Sequence, residues 1–211
     1  MLFTRQRIFM KLYFSPGACS LSPHIVLLEA GLAFSTERVD LGKKLTAGGA
    51  DFRSINPNGY VPALELDNGA VLTEGPAIVQ YLADLAPQAN LLPAVGEIAR
   101  YEALGWLNYI STELHKNYSP LFKPDATDDM RANARKMLAL RFSHIARHLD
   151  NREFLAGSRF SVADAYLFTV LGWADVVKFS LADWPQLQAF RARIGARPAV
   201  QQALRDEGLL K

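Results

Sequence analysis

Cysteine is almost missing from this 211-residue chain: Cys19 stands alone. One thiol cannot close an internal disulfide, so the chain is not a disulfide-stapled scaffold and suits a reducing compartment. Charge of one sign is lacking too. The formal net charge is +2, and Lys43-Lys44 are the only adjacent lysines, which excludes the clustered basic surface of a nucleic-acid binder. Long apolar runs are absent. The longest, Ala165 to Ala174, contains Thr169 and Gly172 and falls far below spanning length, so no membrane segment is expected. Residues 1–9 precede a second methionine, Met10. They are too short for a signal peptide and lack a small-residue cleavage site. They read as an extension outside the fold, an upstream start or a cloning remnant, and a cytoplasmic location is expected. What remains is an ordinary globular mixture, 50% hydrophobic and 21% charged, able to bury a substantial core in one large domain or two small ones.

The chain is organised around residues 11–31. Leu12, Tyr13 and Phe14 favour a strand, and Ser15-Pro16-Gly17 is turn chemistry. Cys19 follows. Ser20 or Ser22 can cap a helix, with Pro23 in its first turn and Gly31 as its stop. Strand, turn, cysteine and helix in that order put a thiol where unpaired N–H groups and the positive end of a helix dipole favour an anion. A site for sulfur chemistry, or for binding a thiol, is the first expectation.

Phe34 to Leu41 alternates loosely and reads as a second strand, while Gly42 to Asp51 reads as a loop or short irregular helix. Asn56-Pro57-Asn58-Gly59 then leads into Val61-Pro62 and a strand. A proline opening a strand sits at an edge or bend. A cis Val61–Pro62 bond would leave the Val61 backbone free to pair with an extended peptide ligand. Asp67-Asn68-Gly69 is a hairpin turn into Ala70-Val71-Leu72. Glu74-Gly75-Pro76 opens a helix whose first N–H groups suit a carboxylate. The order β-α-β, then β-β-α, is that of a thioredoxin-like unit.

Pro87 to Gly96 is the linker candidate, and helical periods take over beyond it. Glu97 to Asn117 is expected as one helix, with Leu107, Ile110 and Leu114 on one face and Asn108, Thr112 and His115 on the other. Pro120 to Pro124 is expected to break the chain, and Thr127 or Asp128 to cap the next helix. Ser161-Val162-Ala163-Asp164 has the form of a capping box before an apolar helix. His144 and His148 are four apart with no third ligand evident, so they read as helix surface and no metal site is expected.

Five stretches in this order resemble a glutathione S-transferase, most of all the bacterial beta class: Ser15-Pro16-Gly17-Ala18-Cys19-Ser20-Leu21; Asn56 through Leu64; Leu72-Thr73-Glu74-Gly75; Trp106-Leu107-Asn108 with Thr112 through Lys116; and Phe160 through Ala165. The resemblance spans Met10 to Lys211. It implies a thioredoxin-like domain over 10–87, an all-helical domain over 97–211, glutathione bound between them as co-substrate, and a homodimer. It places Cys19 against the glutathione sulfur, Val61 on the cysteinyl backbone, Glu74 and Gly75 on the γ-glutamyl end, and Lys44 on the glycyl carboxylate. Asn108, Thr112, Glu113 and His115 would come from the helical domain, some reaching the other subunit's site.

The resemblance implies conjugation of the glutathione thiolate to small hydrophobic electrophiles, with Cys19 and His115 as catalytic residues. Hydrogen-bond donors and a helix N-terminus aimed at the sulfur would lower its pKa. Phe14 occupies the place where a beta-class tyrosine often stands, with Tyr13 on the alternate face, so activation by tyrosine is not expected. Two other readings stay open: glutathione-dependent monothiol exchange or peroxidase chemistry, and a non-catalytic protein of the same fold that binds glutathione or another ligand.

Overall fold

The computed structural model describes residues 9–210; the expected extension over 1–9, apart from Phe9, and Lys211 lie outside them. Strand β1 (Met10–Phe14) is the centre of a five-stranded sheet. It pairs in parallel with β2 (Phe34–Asp40) and antiparallel with β4 (Ala63–Glu65), with Leu12 opposite both Thr36 and Leu64. The edges are β3 (Leu45–Thr46), antiparallel to β2, and β5 (Val71–Thr73), antiparallel to β4. The parallel pair needs a crossover, which α1 (Leu21–Glu29) supplies. The antiparallel pair needs only a turn, and Gly69 takes φ +80° there. The stretch expected as a loop or irregular helix instead holds β3. Two residues carry no readable period, and pairing with Val39 and Asp40 makes them a strand.

Alternation along β1 divides the core. Met10, Leu12 and Phe14 point into the main cluster with Ile25, Leu27, Leu64, Ile78 and Leu82. Tyr13 points the other way, among Val39, Phe52, Val61 and Ala63, as a period of two requires. Helix α1 ends as its sequence implies: Gly31 takes φ +62° just beyond the Ala30 cap. Helix α2 (Gly75–Leu85) completes the thioredoxin-like part.

Helices α3 (Ile98–Tyr109), α4 (Lys116–Phe122), α5 (Asp128–Leu149), α6 (Val162–Val176), α7 (Pro185–Gly195) and α8 (Pro198–Asp206) form the remainder. The expected single helix over 97–117 is interrupted. Between α3 and α4 the backbone runs as a π-helical turn, Ile110–His115, the wide turn often found at functional sites. The chain breaks after Phe122, and Pro120 sits within α4. Its ring falls in the second turn, where it removes one ladder bond without ending the helix. Helix α6 is the apolar centre, buried along most of its length. The capping box forms: Asp164 accepts from the Ser161 N–H at 2.8 Å and from its hydroxyl at 2.7 Å.

The two parts share one apolar core, in which Ile25 and Leu82 belong with Phe142 and Leu167. Polar struts cross between them. The buried Arg100 guanidinium grips Asp84 with two bonds of 2.9 and 2.8 Å. Arg197 holds Glu29 at 2.6 and 2.9 Å while stacking 4.1 Å from the Phe160 ring centre.

Candidate active site

The loop between β1 and α1 carries Cys19. Ser20 does not cap α1 with its side chain. Its hydroxyl instead closes the loop, accepting from the Ser15 N–H at 3.2 Å and donating to the Ser15 carbonyl at 3.3 Å. The half-buried thiol of Cys19 donates to the Val61 carbonyl at 3.2 Å. This bond joins the first two expected site residues, and the Val61–Pro62 peptide is cis. Burial pushes the thiol up to about 12, against the pull of the Cys19 and Ser20 N–H groups, and the negative charge of Glu74 adds to the rise. At neutral pH Cys19 is therefore a protonated donor.

Glu74 lies close enough to act on Cys19 and is exposed. It adopts φ +67° as the cap residue of α2, a conformation that non-glycine residues rarely hold. Gly75, the first residue of α2, packs beside Pro62. The loop before β4 is braced from below: the buried Asn56 side chain donates to the Tyr60 carbonyl at 2.7 Å and accepts from the Asn58 N–H at 3.2 Å. Lys44, with φ +58°, donates to the Gly59 carbonyl at 2.9 Å and sits 5.5 Å above the Tyr60 ring centre.

From the helical part, the π-turn delivers His115. Its Nδ1 is 2.7 Å from the hydroxyl of Tyr166, and its ring meets Trp173 edge-on at 4.7 Å between centroids. Burial, and then the nearby Lys116 charge, lower its pKa to about 4, so it is neutral at pH 7. Tyr166 is itself near Cys19. Burial raises its phenol pKa, and the nearby acidic groups of Cys19 and Glu74 raise it further. Cys19 is thus bonded to Val61 and lies near Glu74 and Tyr166, the partner of His115, while Gly75 packs beside Pro62 and Lys44 holds the loop before β4 through Gly59 and Tyr60. The other three expected residues do not join them. Asn108 and Thr112 are exposed, with the Thr112 hydroxyl bonded to the Asn108 carbonyl at 3.0 Å, and Glu113 is paired with Arg141 at 2.6 Å.

Three residues not read from the sequence complete the loop. The Trp173 indole donates to the Gly17 carbonyl at 2.8 Å. The buried Glu207 carboxylate accepts from the Gly17 N–H at 2.8 Å and meets His24 Nδ1 at 3.0 Å. Tyr166 is the third. Nothing in local spacing marks them, since α6 reads as an apolar core helix and Glu207 as a charge near the end of the sequence. Tyr13 takes no part: its hydroxyl donates to Glu65 at 2.6 Å, within the smaller core.

His144 and His148 flank Trp106 in a separate cavity of about 570 Å³. His148 has both ring nitrogens engaged, with the Leu155 carbonyl at 2.8 Å and Arg152 at 2.9 Å, leaving no lone pair for a metal. Among the described residues no group of three or more His, Cys, Asp or Glu side chains is placed to hold a metal ion. None of the helices described is long and apolar enough to cross a membrane.

Family models of the glutathione S-transferase N-terminal domain and C-terminal domain match residues 17–85 and 109–198. Glutathione S-transferase GstA of Escherichia coli O157:H7 is 48% identical over 200 residues, covering 95% of this chain and 100% of its own. A beta-class glutathione S-transferase of Sphingomonas chungbukensis superposes with a TM-score of 0.92 at 44% identity, over 95% of this chain and 100% of that one. A sphingomonad glutathione S-transferase complexed with glutathione gives 0.92 at 45% identity, over 94% and 99%. The two family models fall on the thioredoxin-like and the helical part, the relatives match nearly the whole chain, and this chain belongs to the glutathione S-transferase family in its bacterial beta class.

Proposed function

We propose that the protein binds glutathione across the cleft between residues 10–87 and 97–211 and conjugates its thiolate to small hydrophobic electrophiles. The observation that carries this reading is the Cys19 thiol bonded to the Val61 carbonyl at the front of α1. It unites the sulfur-facing residue and the backbone position that an extended tripeptide would use. In this reading the γ-glutamyl end lies on Glu74 and Gly75, and the glycyl carboxylate draws Lys44 away from Gly59. The glutathione S–H bond breaks, its proton leaves to solvent, and the thiolate attacks the electrophilic carbon as the leaving group departs.

Both side chains beside the sulfur are neutral at pH 7, since the Cys19 thiol titrates at about 12 and the His115 imidazole at about 4, and Cys19 donates to the sulfur by swinging its proton off the Val61 carbonyl. Thiolate stabilisation therefore falls to hydrogen bonds and to the α1 dipole rather than to a full positive charge. The same protonation state counts against monothiol exchange, which needs Cys19 as a thiolate. Asn108, Thr112 and Glu113 lie away from this subunit's cleft, and we assign them to the face that meets the second copy of a homodimer. A free, protonated thiol suits the cytoplasm.

Calorimetry with glutathione, followed by a spectrophotometric assay with an aryl halide, tests the reading. Binding with turnover is expected. Binding without turnover would leave a non-catalytic glutathione binder, and no binding would remove the reading altogether. Sedimentation or gel filtration checks the dimer.

A further inference from the structure

The interior of the helical part contains a polar chain that the family reading does not use. The Tyr166 side chain on α6 is buried at 3% exposure, and its hydroxyl meets His115 Nδ1 at 2.7 Å. We infer that Tyr166 is a positioning residue, whose phenol fixes the His115 imidazole in the tautomer that carries its proton on Nε2. The inference rests on the proposed glutathione site, because it gives His115 a donor role there.

A phenol has one proton to give and can also accept. The Tyr166 phenol is buried, so its proton must find an acceptor, because a buried donor left unpaired is costly. Among the described residues the one partner in reach is His115 Nδ1. A neutral imidazole that accepts at Nδ1 must donate at Nε2.

His115 is neutral at pH 7, its imidazole titrating at about 4, and the phenol stays protonated because burial raises its pKa. Both ends of the bond therefore keep these roles through the neutral range. Nε2 has no protein partner and is not among the buried polar atoms left unpaired, so it keeps access to the cleft. Trp173 fixes the ring plane from the side, and its indole reaches Gly17, two residues before Cys19. The titratable or charged groups bearing on the pair are Cys19 and Glu74 toward the phenol and Lys116 toward the imidazole.

The test compares the parent with Tyr166→Phe, which keeps the ring and removes the hydroxyl. Nitrogen-15 NMR of His115, without glutathione, is expected to give a dominant Nε2–H tautomer in the parent. In the variant the ratio should fall about tenfold, the worth of one hydrogen bond. With glutathione, Kd should change by less than about twofold while kcat falls about tenfold and the bound thiol titrates at higher pH. A tautomer ratio unmoved in Tyr166→Phe overturns the inference, as does an unchanged kcat and thiol titration beside a shifted ratio. If the parent itself fails to bind glutathione, the functional reading falls, and the ligand-free NMR still decides whether Tyr166 sets the tautomer.

Discussion

The indole nitrogen of Trp173 donates to the carbonyl of Gly17 at 2.8 Å across a sequence separation of 156. The N–H of the same residue donates to Glu207 at 2.8 Å across 190. The residue two places before the site's thiol is therefore held on both of its backbone polar groups by side chains from the far half of the chain. The loop's geometry is a tertiary property and not one the loop could hold alone.

This arrangement makes Glu207→Ala a severe substitution. Glu207 is the partner of the Gly17 N–H and of the buried His24 ring. Its removal leaves the half-buried Gly17 N–H and the buried His24 ring without their partner, which costs about 2–4 kcal/mol. Urea unfolding should register that loss, together with weaker glutathione binding through a loosened loop. A midpoint within experimental error of the parent would show that these bonds do not support the loop.

Cys19 should be a sluggish nucleophile. Burial pushes its thiol up to about 12, so at pH 7.5 iodoacetamide should modify it at least about tenfold more slowly than free cysteine. Cys19→Ala should fold normally and show weakened or altered glutathione chemistry. Rapid alkylation, or turnover and mixed-disulfide formation unchanged in the alanine variant, would deny it the donor role.

Glu74 sets stability against binding. Its φ of +67° costs of order 1 kcal/mol for a residue with a Cβ. Glu74→Gly should therefore raise stability by about 1 kcal/mol while glutathione Kd rises about tenfold or more from loss of the charged partner. Glu74→Ala should lose affinity without the gain in stability. An unaltered Kd in either variant would reject the contact.

His115 makes stability depend on pH. Folding lowers its pKa from 6.5 to about 4, chiefly by burial. Between those values the unfolded chain binds more protons than the native one. The contribution is therefore complete above about pH 6.5 and is lost as pH falls toward 4, by at most about 3 kcal/mol. His115→Gln should flatten that part of the stability profile. Parallel profiles for parent and variant would mean that the imidazole is solvated in the native state.

Local chemistry made much of this fold legible before any coordinates. Gly31 and Gly69 stand at positive φ where a helix stop and a hairpin turn require it, and Ser161 with Asp164 forms the expected box. Such signals act within a few residues and survive into the fold. Leu45–Thr46 was not legible, because a two-residue strand is made by its neighbour. The π-turn was not either: the apolar face of Leu107, Ile110 and Leu114 stays buried whether the ladder closes at four or five residues. Within the site, Cys19, Val61 and Glu74 were readable because each sits at a turn or helix end. Tyr166 and Trp173 look like core aromatics in α6 and acquire their roles only from what packs against them. The helix-end context of Cys19 suggested a readily ionised thiol, and desolvation outweighs the dipole there.

Leu209 lies where a side chain on Gly17 would touch it at 3.7 Å, so the C-terminal residues around Leu209 border the loop that carries Cys19. An affinity handle or fluorescent fusion placed close behind Leu209 would therefore crowd that loop, and any assay of a C-terminally fused form should be repeated after the fusion has been cleaved.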